Sequence, residues 1–246
     1  MNTNSPSKTY LVTGGTAGIG YAVAQSLCAQ GHQVIITGRD AQRVSDAATR
    51  LNCAGYVADS ADLGQIDALA EHLKSDRIQL DGLVLNAGVF YPVSFLESDE
   101  ADFDATMNIN TKGPFFTLQA LAPVMNKPSS VVFVSSIAVH KGFPGCAIYA
   151  ASKAAFEAIS RVANIELADT GIRINSVQPG VTATEIQGKA GMSAQDQTAF
   201  FETLNGTPLG RVMTAQDQVG AIEFLLSEQS LALRNAVIEV AGGQTL

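Results

Sequence analysis

Two side chains with chemistry between them lie one helical turn apart: Tyr149 and Lys153, in the run Tyr149-Ala150-Ala151-Ser152-Lys153. The Ala-rich segment from Ala154 to Leu167 predicts a helix, and on a helix positions i and i+4 share a face. An ammonium beside a phenol favours the phenolate and draws the phenol pKa down from about 10. The pair is therefore a candidate proton donor working near neutral pH. An amphipathic helix that happens to carry one Tyr and one Lys is the plainer reading, and the rest of the chain has to decide.

A second concentration of chemistry lies near the start. Residues 9–13 read as a short buried strand, Thr13-Gly14-Gly15-Thr16-Ala17-Gly18-Ile19-Gly20 follows, and Tyr21 to Gln30 reads as a helix. Strand, glycine turn, helix is the arrangement that cradles a pyrophosphate: the helix N-terminus offers free N–H groups and the positive dipole end. The glycines let the backbone approach the phosphates. The next strand, Gln33 to Thr37, ends in Gly38-Arg39-Asp40. A carboxylate there would bind a ribose 2′-OH and repel a 2′-phosphate. Gly38 holds that place, and Arg39 can pair with the 2′-phosphate of NADP. NADP(H) is thus expected over NAD(H), with a solvated turn Arg as the alternative. Asp40 is expected to cap a helix from Ala41 to Leu51.

The elements that must position these groups alternate regularly. A strand at Gly55–Ala58 leads to Asp59, a helix spans about Asp62 to Lys74, and the strand Gly82–Leu85 runs into Asn86-Ala87-Gly88. Such alternation predicts an α/β fold, a Rossmann-like doubly wound parallel sheet with ligands bound beyond the carboxyl ends of its strands. Asp59, Asn86 and Gly88 fall at such ends, although a helix cap and a plain turn would explain them too. Ser98 to Met125 reads as one long helix with a proline kink near Asn110, because Pro114 lacks an N–H; the Asn110 side chain or carbonyl could then reach inward to a water, with a surface Asn as the plainer reading from spacing alone. Val131–Val134 ends in Ser135-Ser136, and Ile172–Val177 leads to Gln178-Pro179-Gly180. Thr214–Ser227 reads as a helix and Ala236–Val240 as a last strand. The weakly patterned stretch at about 183–208 is expected to form a substrate lid on a single domain covering 1–246.

Together, TGGTAGIG (13–20), NAG (86–88), NIN (108–110), VSS (134–136), YAASK (149–153) and QPG (178–180) closely resemble the motifs of the short-chain dehydrogenase/reductase (SDR) family, in that family's order and over nearly the whole chain. The resemblance implies a catalytic tetrad of Asn110, Ser136, Tyr149 and Lys153. Ser136 fits better than Ser135, since it lies 13 residues before Tyr149. It implies that Gly14, Thr16, Gly18, Ile19 and Gly20 hold the pyrophosphate, Arg39 the 2′-phosphate and Asp59 the adenine. Asn86 and Gly88 would lie beside the adenosine ribose, Tyr149 and Lys153 beside the nicotinamide ribose, and Pro179, Gly180, Thr182 and Thr184 around the carboxamide. Asn110 would hold a water linking Lys153 to solvent. Substrate-pocket walls are expected from Ile137, Val139, His140, Phe143, Cys146 and Ile186. The serine stretch departs from the family in lacking a following Gly (Ile137-Ala138-Val139-His140), and the basic turn residue of many NADP enzymes is Ala17 here. A homotetramer is also implied.

Composition narrows the alternatives. Among 246 residues the net charge is −8 and only 15 are Lys or Arg, which argues against a nucleic-acid surface and disfavours an acidic partner protein. Cys28, Cys53 and Cys146 show no metal spacing with His32, His72 and His140, so no metal site is expected and the thiols read as buried hydrophobes in a reducing compartment. No apolar run is long enough to span a membrane, and the polar start, Met1 to Lys8, does not resemble a signal peptide; a cytoplasmic location is expected. The leading function is an NADPH-dependent ketone reductase or secondary-alcohol dehydrogenase acting on a small molecule. A 3-oxoacyl-(acyl-carrier-protein) reductase and a non-catalytic NADP-binding sensor are the alternatives.

Overall fold

A computed structural model describes residues 6–246; the expectation for Met1 to Lys8 falls partly on 1–5, outside the described residues. Strand and helix alternate as β1 (Thr9–Val12), α1 (Gly18–Ala29), β2 (Gln33–Gly38), α2 (Ala41–Leu51), β3 (Ala54–Val57), α3 (Leu63–Ser75) and β4 (Leu80–Leu85). Next come α4 (Glu100–Met107), a π turn (Asn108–Lys112), α5 (Gly113–Leu121), β5 (Met125–Val134), α6 (Ala147–Glu166) and β6 (Ile172–Pro179). The last part holds β7 (Thr182–Ala183), α7 (Ile186–Lys189), α8 (Ala194–Thr203), β8 (Met213–Thr214), α9 (Ala215–Leu226) and β9 (Val237–Val240).

Seven strands form one parallel sheet in the order β3-β2-β1-β4-β5-β6-β9. The chain runs outward from β1 to β3, then returns to place β4 on the other side of β1. That reversal opens a crevice at the carboxyl ends of β1 and β4, where α/β sheets bind ligands. The two-residue period of the strands divides the core. Tyr10, Val12, Val34 and Ile36 pack with residues of α1, α2 and α9, whereas Leu11, Ile35, Leu83 and Phe133 pack with residues of α3, α5 and α6. Both faces are covered, so the strands read as continuous apolar runs. Helix starts follow local chemistry: Asp40 accepts from the Arg43 N–H at 2.9 Å and Asp62 from the Gln65 N–H at 3.2 Å.

One expected element is corrected. The helix expected from Ser98 to Met125 runs as α4, the π turn and α5, and Met125 already belongs to β5. Pro114 does not break it, because it falls in the first turn of α5, where its missing N–H costs little; the extra residue is absorbed by the π turn, with Gly113 N–H bonding Asn108 O. Asn110 is not on the surface but fully buried. The weakly patterned stretch 183–208 carries α7 and α8, the latter capped by Ser193, and a small β7–β8 ribbon closes its base. Among the described residues no helix is long and apolar enough to cross a membrane.

Candidate active site

A cleft of about 590 Å³ lies over the carboxyl ends of the central strands. Its floor at β1 is the glycine turn. Gly14 (φ 63°) and Gly18 (φ 56°) occupy left-handed conformations that favour glycine. A Cβ on Gly20 would collide with Asn86 Nδ2 and stand 2.6 Å from Gly14 O. Asn86 holds this corner, its Nδ2 donating to Thr13 O (2.9 Å) and Gly14 O (3.1 Å). The Thr13 hydroxyl accepts the N–H groups of Asn86 and Ala87, each at 3.0 Å. No side chain caps α1, and its first turn carries no acid. An uncapped helix N-terminus behind a close-packed glycine turn fits a pyrophosphate.

Arg39 lines the cleft beside Gly38, is exposed, and forms no ion pair among the described residues. Asp40 spends its carboxylate on the α2 cap. Gly14, Thr16, Gly18, Ile19, Asp59, Asn86, Gly88, Pro179, Gly180, Thr182 and Thr184 also line the cleft; Gly20 packs behind it.

Farther along, Ser136, Tyr149 and Lys153 converge on the same cleft. Ser136 lies two residues beyond β5, where its hydroxyl accepts the Ala138 N–H at 3.1 Å, close enough to the Tyr149 phenol to favour its ionised form. Phe90 meets the Tyr149 ring edge-on, with centroids 5.1 Å apart. Lys153 is 4% exposed; its Nζ donates to Val134 O at 2.9 Å and stands 5.9 Å from the Tyr149 ring centroid. Burial pushes the Tyr149 phenol up to about 12, with the Ser136 hydrogen bond opposing it. Burial also pulls the Lys153 ammonium down to about 8. In the protein without cofactor, desolvation is the dominant influence on the Tyr149 phenol.

Asn110 does not line the cleft. Its Oδ1 accepts from Val89 N–H (2.9 Å), and its Nδ2 donates to Val89 O (2.9 Å) and Ser152 Oγ (3.1 Å). Its side chain thus braces the Gly88–Val89 backbone, while Pro114 has no N–H to offer the Asn110 carbonyl four residues earlier.

Of the expected pocket walls, Ile137, Phe143, Cys146 and Ile186 line the cleft, whereas Val139 and His140 do not. The short 3-10 turn Ile137–Val139 carries them past the mouth, and His140 Nε2 lies 3.1 Å from Glu239 Oε2, an acid 99 positions away that local sequence does not reveal. Phe90, Met192 and Phe200 line the apolar end as well. Among the described residues no group of three or more His, Cys, Asp or Glu is placed to hold a metal.

A family model described as enoyl-(acyl carrier protein) reductase matches residues 14–245. Dehydrogenase/reductase SDR family member 4 of Homo sapiens is 33% identical over 249 residues, covering 96% of this chain and 87% of that protein. A 3-oxoacyl-(acyl-carrier-protein) reductase of Mycobacterium avium is 32% identical over 239 residues, covering 96% and 89%. Among solved structures, levodione reductase superposes with a TM-score of 0.89 at 25% identity over 97% of both chains. A cleft built on the glycine turn, a Ser-Tyr-Lys convergence and full-length likeness to such proteins lead to one conclusion: the chain belongs to the short-chain dehydrogenase/reductase family, an oxidoreductase family acting on CH–OH and C=O groups.

Proposed function

We propose that the protein is an NADPH-dependent reductase of small or medium ketones, run in reverse as a secondary-alcohol dehydrogenase. One observation carries the reading: Ser136, Tyr149 and Lys153 converge at the apolar end of a cleft whose other end is an uncapped glycine turn. The bound dinucleotide supplies the hydride. The chain supplies a proton donor, a hydrogen bond and a charge. Tyr149, kept protonated by burial, gives its proton to the carbonyl oxygen, which becomes far more basic than a phenolate as it turns alkoxide. Ser136 donates a hydrogen bond to that oxygen. The Lys153 cation stabilises the phenolate left behind and reaches the nicotinamide ribose, and Asn110 serves the proton path behind it. Gly14, Thr16, Gly18, Ile19 and Gly20 hold the pyrophosphate, and Asp59, Asn86, Gly88, Pro179, Gly180, Thr182 and Thr184 the remainder of the cofactor.

The preference for NADP(H) rests on Arg39, unpaired at the end of β2 with glycine where an acid would stand. The segment 183–208 acts as the lid, with Ile186 and Phe200 facing the substrate. Three free thiols suit a reducing cytoplasm, and exposed Phe103, Phe115 and Val162 suit a homotetramer.

Tyr149→Phe keeps the ring and removes the proton. It should abolish NADPH-driven reduction across a panel of ketones while leaving NADPH binding within a few-fold; retained turnover would sink the assignment. A second reading, reduction of a 3-oxoacyl thioester, is favoured by the family model's description and the mycobacterial relative. Kinetics on a 3-oxoacyl thioester with and without an acyl carrier separate the two.

A further inference from the structure

One charged side chain beside the catalytic group has no part in the proton transfer assigned to Tyr149. Glu157 lies one turn after Lys153 on α6, so the two share the face that packs on the ends of β5 and β6. Its Oε1 accepts the Ser135 hydroxyl at 2.5 Å and the Gln178 side-chain amide at 2.8 Å. Both donors are fixed: Ser135 and Gln178 are buried, Ser135 N–H bonds Val177 O at 2.8 Å, and Gln178 sits within β6. The ammonium of Lys153 is surrounded by neutral groups: the Val134 carbonyl, the Phe133 ring 5.0 Å away, the Tyr149 phenol, and Gly88 with the Asn110 amide. Glu157, on the same face of α6, is the nearest acid along the chain; among the described residues the two form no direct ion pair, so its charge opposes the loss of the Lys153 proton from a distance.

We propose that Glu157 is a positioning residue for proton transfer: its carboxylate is the counter-charge of the Lys153 ammonium, and Ser135 and Gln178 fix where that charge sits. The proposal rests on the reading of Tyr149 and Lys153 as the proton-donating pair. A buried ammonium without a counter-charge sheds its proton, and burial already draws this one down to about 8, with Glu157 opposing the shift. Glu157 thus sets the pH up to which Lys153 stays cationic. Ser135, the serine that the motif spacing sets aside in favour of Ser136, acquires a separate role, because it holds the acid that serves the lysine.

Glu157→Gln keeps the shape and removes the charge. The Lys153 ammonium, followed by 15N-lysine NMR in the protein without cofactor, should titrate about one unit lower. The high-pH limb of kcat should move down by the same amount, so that the loss is about fivefold at pH 8, approaches about tenfold at higher pH and is slight at pH 6, with the KM for the carbonyl compound less affected. Glu157→Asp retains a carboxylate and should recover most of the shift. Ser135→Ala, a milder change that guards against a Glu157→Gln protein that fails to fold, should lower the titration by a fraction of a unit. A Lys153 titration unmoved in Glu157→Gln or, if that protein does not fold, in Ser135→Ala overturns the proposal, as do Gln and Asp variants that behave alike. The NMR titration needs neither substrate nor turnover, so its outcome stands apart from a failure of the ketone-reductase reading.

Discussion

The two ends of the cleft are built to different tolerances. At the glycine turn the backbone is pinned on every side: a Cβ on Gly15 would lie 2.7 Å from Ile36, and one on Gly20 would meet Asn86 and Gly14. Across 183–208, the proposed lid, α7 has four residues, α8 buries none of its own, and Phe200 is 37% exposed. The tight end is where a dinucleotide common to many reactions fits. The loose end faces what differs between reactions. Close packing transmits every added methyl, whereas a half-exposed helix can be remodelled at little cost in stability.

The largest effect expected from this contrast comes from Gly20→Ala. The added methyl cannot be accommodated without moving Asn86, whose amide ties Thr13 and Gly14 together. Overpacking of this kind costs about 1–3 kcal/mol, which lowers Tm by roughly 3–10 °C at this chain length. NADPH affinity should fall at least ~100-fold as the turn opens. Calorimetry and fluorescence titration read the two; a variant with parental Tm and affinity would remove the distinction between the ends.

A smaller effect should appear in pH dependence, which belongs to the junction of the ends. Tyr149, raised to about 12, stays protonated throughout the accessible range. Lys153, lowered to about 8, does not. If the cation is needed, kcat for ketone reduction is level below pH 8 and declines above it, about tenfold per unit once the ammonium is lost. A profile flat to pH 10 would assign the charge requirement elsewhere.

What the sequence makes legible follows from how local each signal is. The glycine turn, the Asp40 cap and the Tyr149–Lys153 spacing are set by neighbours within a few positions, and the structure keeps them within a residue or two. The pairings that remained hidden are long-range. His140 stands outside the cleft beside Glu239, 99 positions away, and Glu157 gains meaning from Ser135 and Gln178, which come from the end of β5 and from β6. The π turn escaped because a proline in an apolar helical pattern reads as a kink, and only the packing of Asn110 against Val89 and Ser152 shows where the extra residue goes. The burial of the Tyr149 phenol escaped for a similar reason, since desolvation is a property of the assembled core.

At the loose end the expected effects are modest in stability and larger in selectivity. Phe200→Ala removes a half-exposed ring from the cleft wall, so stability should change by no more than about 1 kcal/mol. The KM for a bulky aromatic ketone should rise about tenfold, with little change for a small aliphatic one or for NADPH. Equal changes for all three would mean that the lid shapes the cofactor end as well.

The smallest effect tests whether the ends are mechanically joined. Arg43, on the first turn of α2, reaches across to Glu185 at the start of α7, the root of the proposed lid, with Nη2 and Oε2 2.5 Å apart; Lys189 Nζ approaches the same oxygen at 2.9 Å. Both cations hold the Glu185 carboxyl below its usual pKa, the Lys189 hydrogen bond most. The Arg43 and Glu185 side chains are 43% and 50% exposed, so the pair is worth at most about 1 kcal/mol. Arg43→Ala should therefore leave Tm nearly unchanged. Glu185 lines the cleft, so loosening it should speed NADPH release about two- to five-fold at low salt. At ~1 M salt, where charges are screened beyond about 3 Å, the parent and variant release rates should converge. A difference that survives high salt would trace the coupling to packing; no difference at low salt would mean that the lid opens independently of α2, leaving Thr184, 3.3 Å from where a Gly18 Cβ would stand, as the closer link between lid and glycine turn.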